Sequence, residues 1–139
     1  MRRRSLAVIL SAFVLTSCNG DNEKLGKLYS RSLVISNVQD AEIPALLRTM
    51  AESTNTSEKE VRKDLDGNNM FLYSGDNVVL FVRRKFGEQC TNGLCSWKIN
   101  VSPAKTNMHT DEQKAVVDEA FNHLASIGYI ADHRASGGA

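Results

Sequence analysis

The chain has 139 residues, 42% hydrophobic and 24% charged, which excludes a wholly disordered protein and leaves room for one domain rather than two. Its net charge of +1 rests on Arg2, Arg3 and Arg4. Without them 14 basic residues face 16 acidic ones, a net −2, which argues against a nucleic-acid partner, since that would require a basic face for phosphates.

Those three arginines open a targeting pattern. The ten residues Leu6 to Leu15 are apolar except Ser11, and they lead into Thr16-Ser17-Cys18. Ten helical residues span about 15 Å, half the hydrocarbon core, so the run is short for a membrane span and matches a signal peptide. The end of it, Leu15-Thr16-Ser17-Cys18, resembles the lipobox of bacterial lipoproteins. Each position has a task in that family. The thiol of Cys18 accepts a diacylglyceryl group, Thr16 and Ser17 let a protease reach the bond before it, and Leu15 fills a pocket. The resemblance implies that residues 1–17 are removed, that Cys18 begins the mature chain, and that acyl chains hold it to a membrane. Asn19 stands where an aspartate often signals retention in the inner membrane. The resemblance therefore places the protein at a Gram-negative outer membrane, facing the periplasm. In a Gram-positive cell the same anchor would sit on the outer face of the plasma membrane.

Residues 18–30 are polar with two glycines and read as the lipidated N-terminus and a tether. A single domain is expected over 31–134, followed by a loose tail at 135–139. Leu33-Val34-Ile35 predicts a strand. Asp40 is a candidate cap for a helix running to about Ser53, because Ile43, Leu46, Leu47 and Met50 share one face and Pro44 fits only a first turn. Ser57-Glu58-Lys59-Glu60 has the form of a capping box, which predicts a short helix carrying Val61 and Leu65 and stopping at Gly67.

Three strands are expected next. Met70 to Tyr73 is apolar, and a turn follows at Ser74-Gly75-Asp76-Asn77. Val78 to Val82 is continuously apolar, which predicts a strand covered on both faces. Cys95 to Ser102 alternates, with Cys95, Trp97, Ile99 and Val101 pointing one way. Before it, Cys90 and Cys95 flank Thr91-Asn92-Gly93-Leu94. Asn-Gly tolerates positive φ at both positions, so a turn there brings the two cysteines to bonding distance. A disulfide is the expected state in an oxidising compartment. Free thiols, a redox pair and half of a metal site are the competing readings; four intervening residues do not fit a redox pair, and no further zinc ligands are nearby.

Thr110-Asp111-Glu112-Gln113 is a second capping box, opening a helix to about Ile127 whose stripe is Val117, Ala120, Phe121, Leu124 and Ile127, with Gly128 as its stop. Tyr129-Ile130-Ala131 reads as a last strand. The expected fold is α+β: a small antiparallel sheet, a meander of about three strands with short edge strands, and helices packed on one face.

No catalytic residues are assigned. His109, His123 and His133 have no visible partners for proton transfer, and Asp64 and Asp66 before Gly67 lack the remaining ligands of a calcium loop. No serine sits in a nucleophile elbow, and there is no phosphate loop, metal cluster or cofactor motif. Arg83, Arg84 and Lys85 with Phe86 form the densest basic cluster of the mature chain. They are a candidate patch for lipid headgroups, cell-wall acids or an acidic protein, against the simpler reading of a solvated strand end that blocks edge pairing. The expectation is a membrane-anchored envelope protein whose domain binds a protein or cell-wall partner. A carrier for a small ligand or lipid and an envelope enzyme are the alternatives.

Overall fold

A computed structural model describes residues 28–85 and 90–134. The signal segment, Cys18, most of the tether, Phe86 and the tail at 135–139 lie outside the described residues. The chain runs β1 (Arg31–Gln39), a 3-10 turn (Asp40–Glu42), α1 (Ile43–Thr54), β2 (Thr56–Lys63), β3 (Asn69–Gly75), β4 (Val78–Arg84), β5 (Leu94–Pro103), α2 (Thr110–Ala125) and α3 (Gly128–His133). The five strands form one antiparallel sheet in the order β1-β5-β4-β3-β2, and the fold is α+β as expected.

Strand alternation decides which residues meet the helices. Leu33, Ile35 and Val38 all point inward although their spacing changes from two to three. The register slips between Ile35 and Val38, where Asn37 takes φ 60° and absorbs the extra residue as a bulge. In β5, Cys95, Trp97, Ile99 and Val101 are buried as the alternation predicts. β4 differs from expectation. Val78, Leu80 and Val82 are buried, but Val79 and Phe81 are only half-buried on the opposite face, which none of the described helices covers, so among the described residues the strand is covered on one face rather than two.

The helix layer closes the core. Ile43, Leu46, Leu47 and Met50 of α1 and Val117, Ala120, Phe121 and Leu124 of α2 pack on the sheet with Leu80 and Ile99. The entry to α1 is a 3-10 turn capped by Gln39, whose N–H donates to Glu42 Oε1 at 3.4 Å, so the cap lies one residue before Asp40. At α2 the cap is likewise one residue early. His109 N–H donates to Glu112 Oε1 at 3.3 Å. The expected end of α2 near Ile127 moves to Ala125, because Ile127 caps α3.

Two further expectations are corrected. Residues 56–63 form β2 and not a helix. Asn55 ends α1 at φ 56° and turns the chain back, after which the backbone of Thr56–Lys63 pairs with β3. Ser57 and Glu60 therefore sit in a ladder, Val61 is 43% exposed, and Leu65 is 97% exposed in the following turn. That turn is built by Asp64, whose Oδ1 accepts from the N–H groups of Asp66 and Asn68 at 2.9 and 2.8 Å, with Gly67 at φ 83°. Residues 129–131 belong to α3 and not to a strand; Ile130 is fully buried there, and Arg134 makes a single bridge to Ile35.

The two ends of the domain are clamped to α2. Tyr29 Oη donates to Asp118 Oδ1 at 2.7 Å and Arg31 Nη1 reaches the same oxygen at 3.2 Å. The Arg31 guanidinium lies 3.7 Å from the centroid of Phe121, with Arg134 at 5.2 Å. Among the described residues no helix is long and apolar enough to cross a membrane.

Candidate functional site

The β4–β5 hairpin carries the most specific local structure. Thr91 and Leu94 exchange both backbone hydrogen bonds at 2.9 Å across Asn92 (φ 55°) and Gly93 (φ 78°), the signs required by a two-residue turn matched to strand twist. Just outside it Cys90 and Cys95 form a disulfide, with Cα atoms 4.4 Å apart. Such a bond persists outside a reducing cytoplasm and fits an extracytoplasmic domain.

Arg84 connects this hairpin to the helix layer. It stands opposite Trp97 in the β4–β5 register, at the end of the sheet where α1 begins. Its Nη2 donates to Asp40 Oδ2 at 2.7 Å and its Nη1 approaches Cys90 Sγ at 3.5 Å. The guanidinium carbon lies 5.9 Å from the Trp97 ring centroid, and Phe71 also packs on Trp97, with ring centroids 6.2 Å apart. These side chains line an open groove of about 310 Å³ between the start of α1 and the β2–β3 turn, with Ile43, Pro44, Lys63, Asn68 and Asn69 completing its walls. That is the lower end of the size range for small-ligand sites.

The groove holds an electrostatic imbalance. Trp97 is 4% exposed, and neither its Nε1–H nor the Nε–H of Arg84 has a hydrogen-bond partner among the described residues. A buried donor without an acceptor costs about 1–3 kcal/mol, so two in one place need an account. Among the described residues the lining offers one carboxylate (Asp40), an ammonium (Lys63), the Arg84 guanidinium and the Trp97 indole.

Strand alternation separates the basic cluster. Arg84 enters the groove, Arg83 lies on the opposite sheet face and donates to the Arg84 carbonyl at 3.2 Å, and the Lys85 N–H donates to the Ser96 carbonyl. On Arg83's face a smaller hollow of about 190 Å³ is lined by Met70, Leu72 and Phe81 with Glu60 and Arg62. Arg62 donates to Glu60, which holds that carboxyl below its ordinary range.

The histidines go to separate places. His109 caps α2, and His133 stacks on Tyr129 with ring centroids 3.9 Å apart. His123 Nε2 lies 3.7 Å from Glu119 Oε2 at the rim of a third hollow of about 220 Å³ that also touches Thr54. Both side chains of that pair are mostly in solvent, and Thr54 Oγ1 is already bonded to the Met50 carbonyl at 2.8 Å. Among the described residues no three His, Cys, Asp or Glu side chains gather as a metal site.

Sequence reasoning reached Arg84 and both cysteines but missed Asp40, Lys63, Asn68, Asn69 and Phe71 as groove residues, and it took Trp97 only as core. These positions are scattered from 40 to 97, and no spacing rule joins residues brought together by sheet order. The one available signal was the single tryptophan at the end of an alternating strand beside a cysteine.

No protein-family model matches this chain, and no curated protein is significantly similar to it.

Proposed function

We propose that this chain is a lipoprotein held in the cell envelope by acyl chains on Cys18, and that its domain is a non-catalytic binding module for another envelope macromolecule. The Leu15-Thr16-Ser17-Cys18 pattern and Asn19 support an outer-membrane anchor facing the periplasm, and the Cys90–Cys95 bond supports an oxidising compartment. The observation that carries the binding reading is the groove beside the disulfide hairpin, where an aromatic floor meets two buried donors that lack acceptors. A carrier would keep its cargo between sheet and helices. That space is filled by Leu80, Ile99, Val117 and Leu124, each fully buried, which favours a surface partner.

The test has two parts. Cys18→Ser, expressed in a Gram-negative host, is expected to leave the membrane fraction or to accumulate unprocessed. A processed mutant that still fractionates with membranes overturns the anchor. Cross-linking of the lipidated protein in intact cells, followed by purification from detergent, is expected to capture one dominant macromolecule. That capture is expected to be lost in Arg84→Gln and retained in Lys105→Gln, a change at an exposed position outside the groove. Capture that ignores Arg84 overturns the groove as the contact.

A further inference from the structure

We infer that the groove at Arg84 and Trp97 is a carboxylate-binding site, taking a carboxylate that adjoins an apolar side chain, as at the C-terminus of a peptide or in an N-acylated amino acid. The inference deepens the binding reading above and rests on it.

Arg84 Nε and Trp97 Nε1 are buried donors without acceptors, and Lys63 adds an ammonium at the wall. Among the described residues Asp40 is the one carboxylate in the lining, and one of its oxygens already accepts from Arg84 Nη2 at 2.7 Å. Among the described residues of the lining two cations, Arg84 and Lys63, stand against that single carboxylate, so the groove carries an excess of positive charge that an anionic ligand offsets. A planar carboxylate fits, because a guanidinium presents its N–H groups as a fork that a carboxylate can accept in pairs. Hydroxyl groups or amides bring donors of their own and no negative charge, and so leave the excess of positive charge in place.

The apolar half of the site points to the rest of the ligand. Ile43, Pro44, Phe71 and Trp97 supply the apolar part of the lining, a place for an aliphatic side chain beside the polar end. Asp40 is then a competitor. It holds Arg84 Nη2, and an incoming carboxylate must share the guanidinium with it. That position gives the site an uncommon signature: removing a negative charge at Asp40 strengthens binding, while removing the positive charge at Arg84 weakens it.

The chain has a single tryptophan, so indole fluorescence and the indole N–H resonance report on Trp97 alone. The full lipidated protein in detergent is titrated with N-acetyl-leucine, with N-acetyl-leucinamide, and with the acetylated tripeptide alanyl-alanyl-leucine. A saturable shift of the Trp97 indole N–H is expected with the two acids, with the amide weaker by at least about tenfold. Tighter binding of the tripeptide assigns a protein chain end, and equal binding assigns a small acid; both uphold the carboxylate site. Arg84→Gln is expected to weaken both acids by about tenfold or more, and Asp40→Asn to tighten them several-fold. Asp40 is an exposed residue, so its variant keeps the test open if Arg84→Gln does not fold. An equal response to acid and amide, no saturable response, or weaker binding in Asp40→Asn overturns the inference. None of these results bears on the membrane fractionation of Cys18→Ser, so the ligand class and the anchor fail separately.

Discussion

Leu124 closes the α2 stripe at its C-terminal end and is fully buried. Truncation to alanine removes packing atoms and leaves a cavity that rigid sheet residues cannot close, so Leu124→Ala is expected to cost about 2–5 kcal/mol in a urea unfolding titration. This position was legible, because a period of 3.6 fixes a helix face without reference to anything distant. Tyr129 was not. Its hydroxyl donates to Glu42 Oε1 at 2.7 Å across 87 residues, and no local pattern announces that. Burial, and then the Glu42 hydrogen bond and charge, push its phenol up to about 12. A raised folded value favours the protonated phenol. The stabilisation is therefore complete below the ordinary tyrosine range near 10 and is lost as pH climbs from about 10 toward 12. Tyr129→Phe is expected to lower stability by about 1 kcal/mol at neutral pH and to flatten part of the alkaline loss. An alkaline melting curve with an unchanged slope would show that the hydrogen bond contributes nothing to folding. Asp118 gives the opposite limb. The Tyr29 hydroxyl, and then Arg31, hold its carboxyl below the ordinary range, so its contribution is present above that range and lost only as pH falls beneath it. Asp118→Asn is expected to be less acid-sensitive than the native chain over that low window.

At the level of elements, the strands with clean alternation and the helices with long apolar stripes were readable, and the errors share one cause. A capping box at Ser57 is a local preference worth little against a neighbouring strand that offers a full ladder of backbone partners. Tyr129-Ile130-Ala131 is three residues long, too short for period 2 and period 3.6 to differ. What places β2 is the junction at Asn55. Its left-handed backbone ends α1, and a Cβ added to Gly75 would stand 2.4 Å from the Asn55 carbonyl oxygen. That oxygen belongs to the backbone and cannot swing aside. Gly75→Ala is thus expected to cost about 1–3 kcal/mol and to loosen the β2–β3 edge first, read as faster amide exchange in Thr56–Lys63 than in β5. Uniform exchange across the sheet would show that β2 is not held through that contact. The disulfide hairpin is the matching case at the other end of the sheet. The Asn-Gly turn and the cysteine spacing announced it, since every residue involved lies within six positions. A loop that short restricts few unfolded conformations, so reduction is expected to cost only about 2 kcal/mol and to leave unfolding a single transition.

Across the whole molecule, the sheet order β1-β5-β4-β3-β2 makes the first strand of the domain the neighbour of the last. A meander of β2 to β5 follows from short turns, but nothing in the sequence states that β1 crosses to pair with β5, sixty residues away. The pairing matters energetically because Leu33, Ile35 and Val38 are each fully buried. Burial of three such side chains contributes about 5–9 kcal/mol as an upper figure, comparable to the whole stability of a domain this size, about 5–15 kcal/mol. Loss of β1 also strips Arg31 from Asp118 and Phe121 and leaves the β5 edge without its partner. Deletion of residues 31–39 from the chain is therefore expected to abolish the cooperative thermal transition and the near-ultraviolet signal of Trp97, even though β2 to β5, α1 and α2 remain in sequence. Ile35→Ala is the graded form. It is expected to lower the urea midpoint by the equivalent of about 2–5 kcal/mol while keeping one transition. A deletion variant that still melts cooperatively with an intact Trp97 signal would mean that β2 to β5 and the two long helices are the folding unit, with β1 an addition to it. The reverse result would mean that β1 closes the core, so that the domain can fold only once its first strand has met its last.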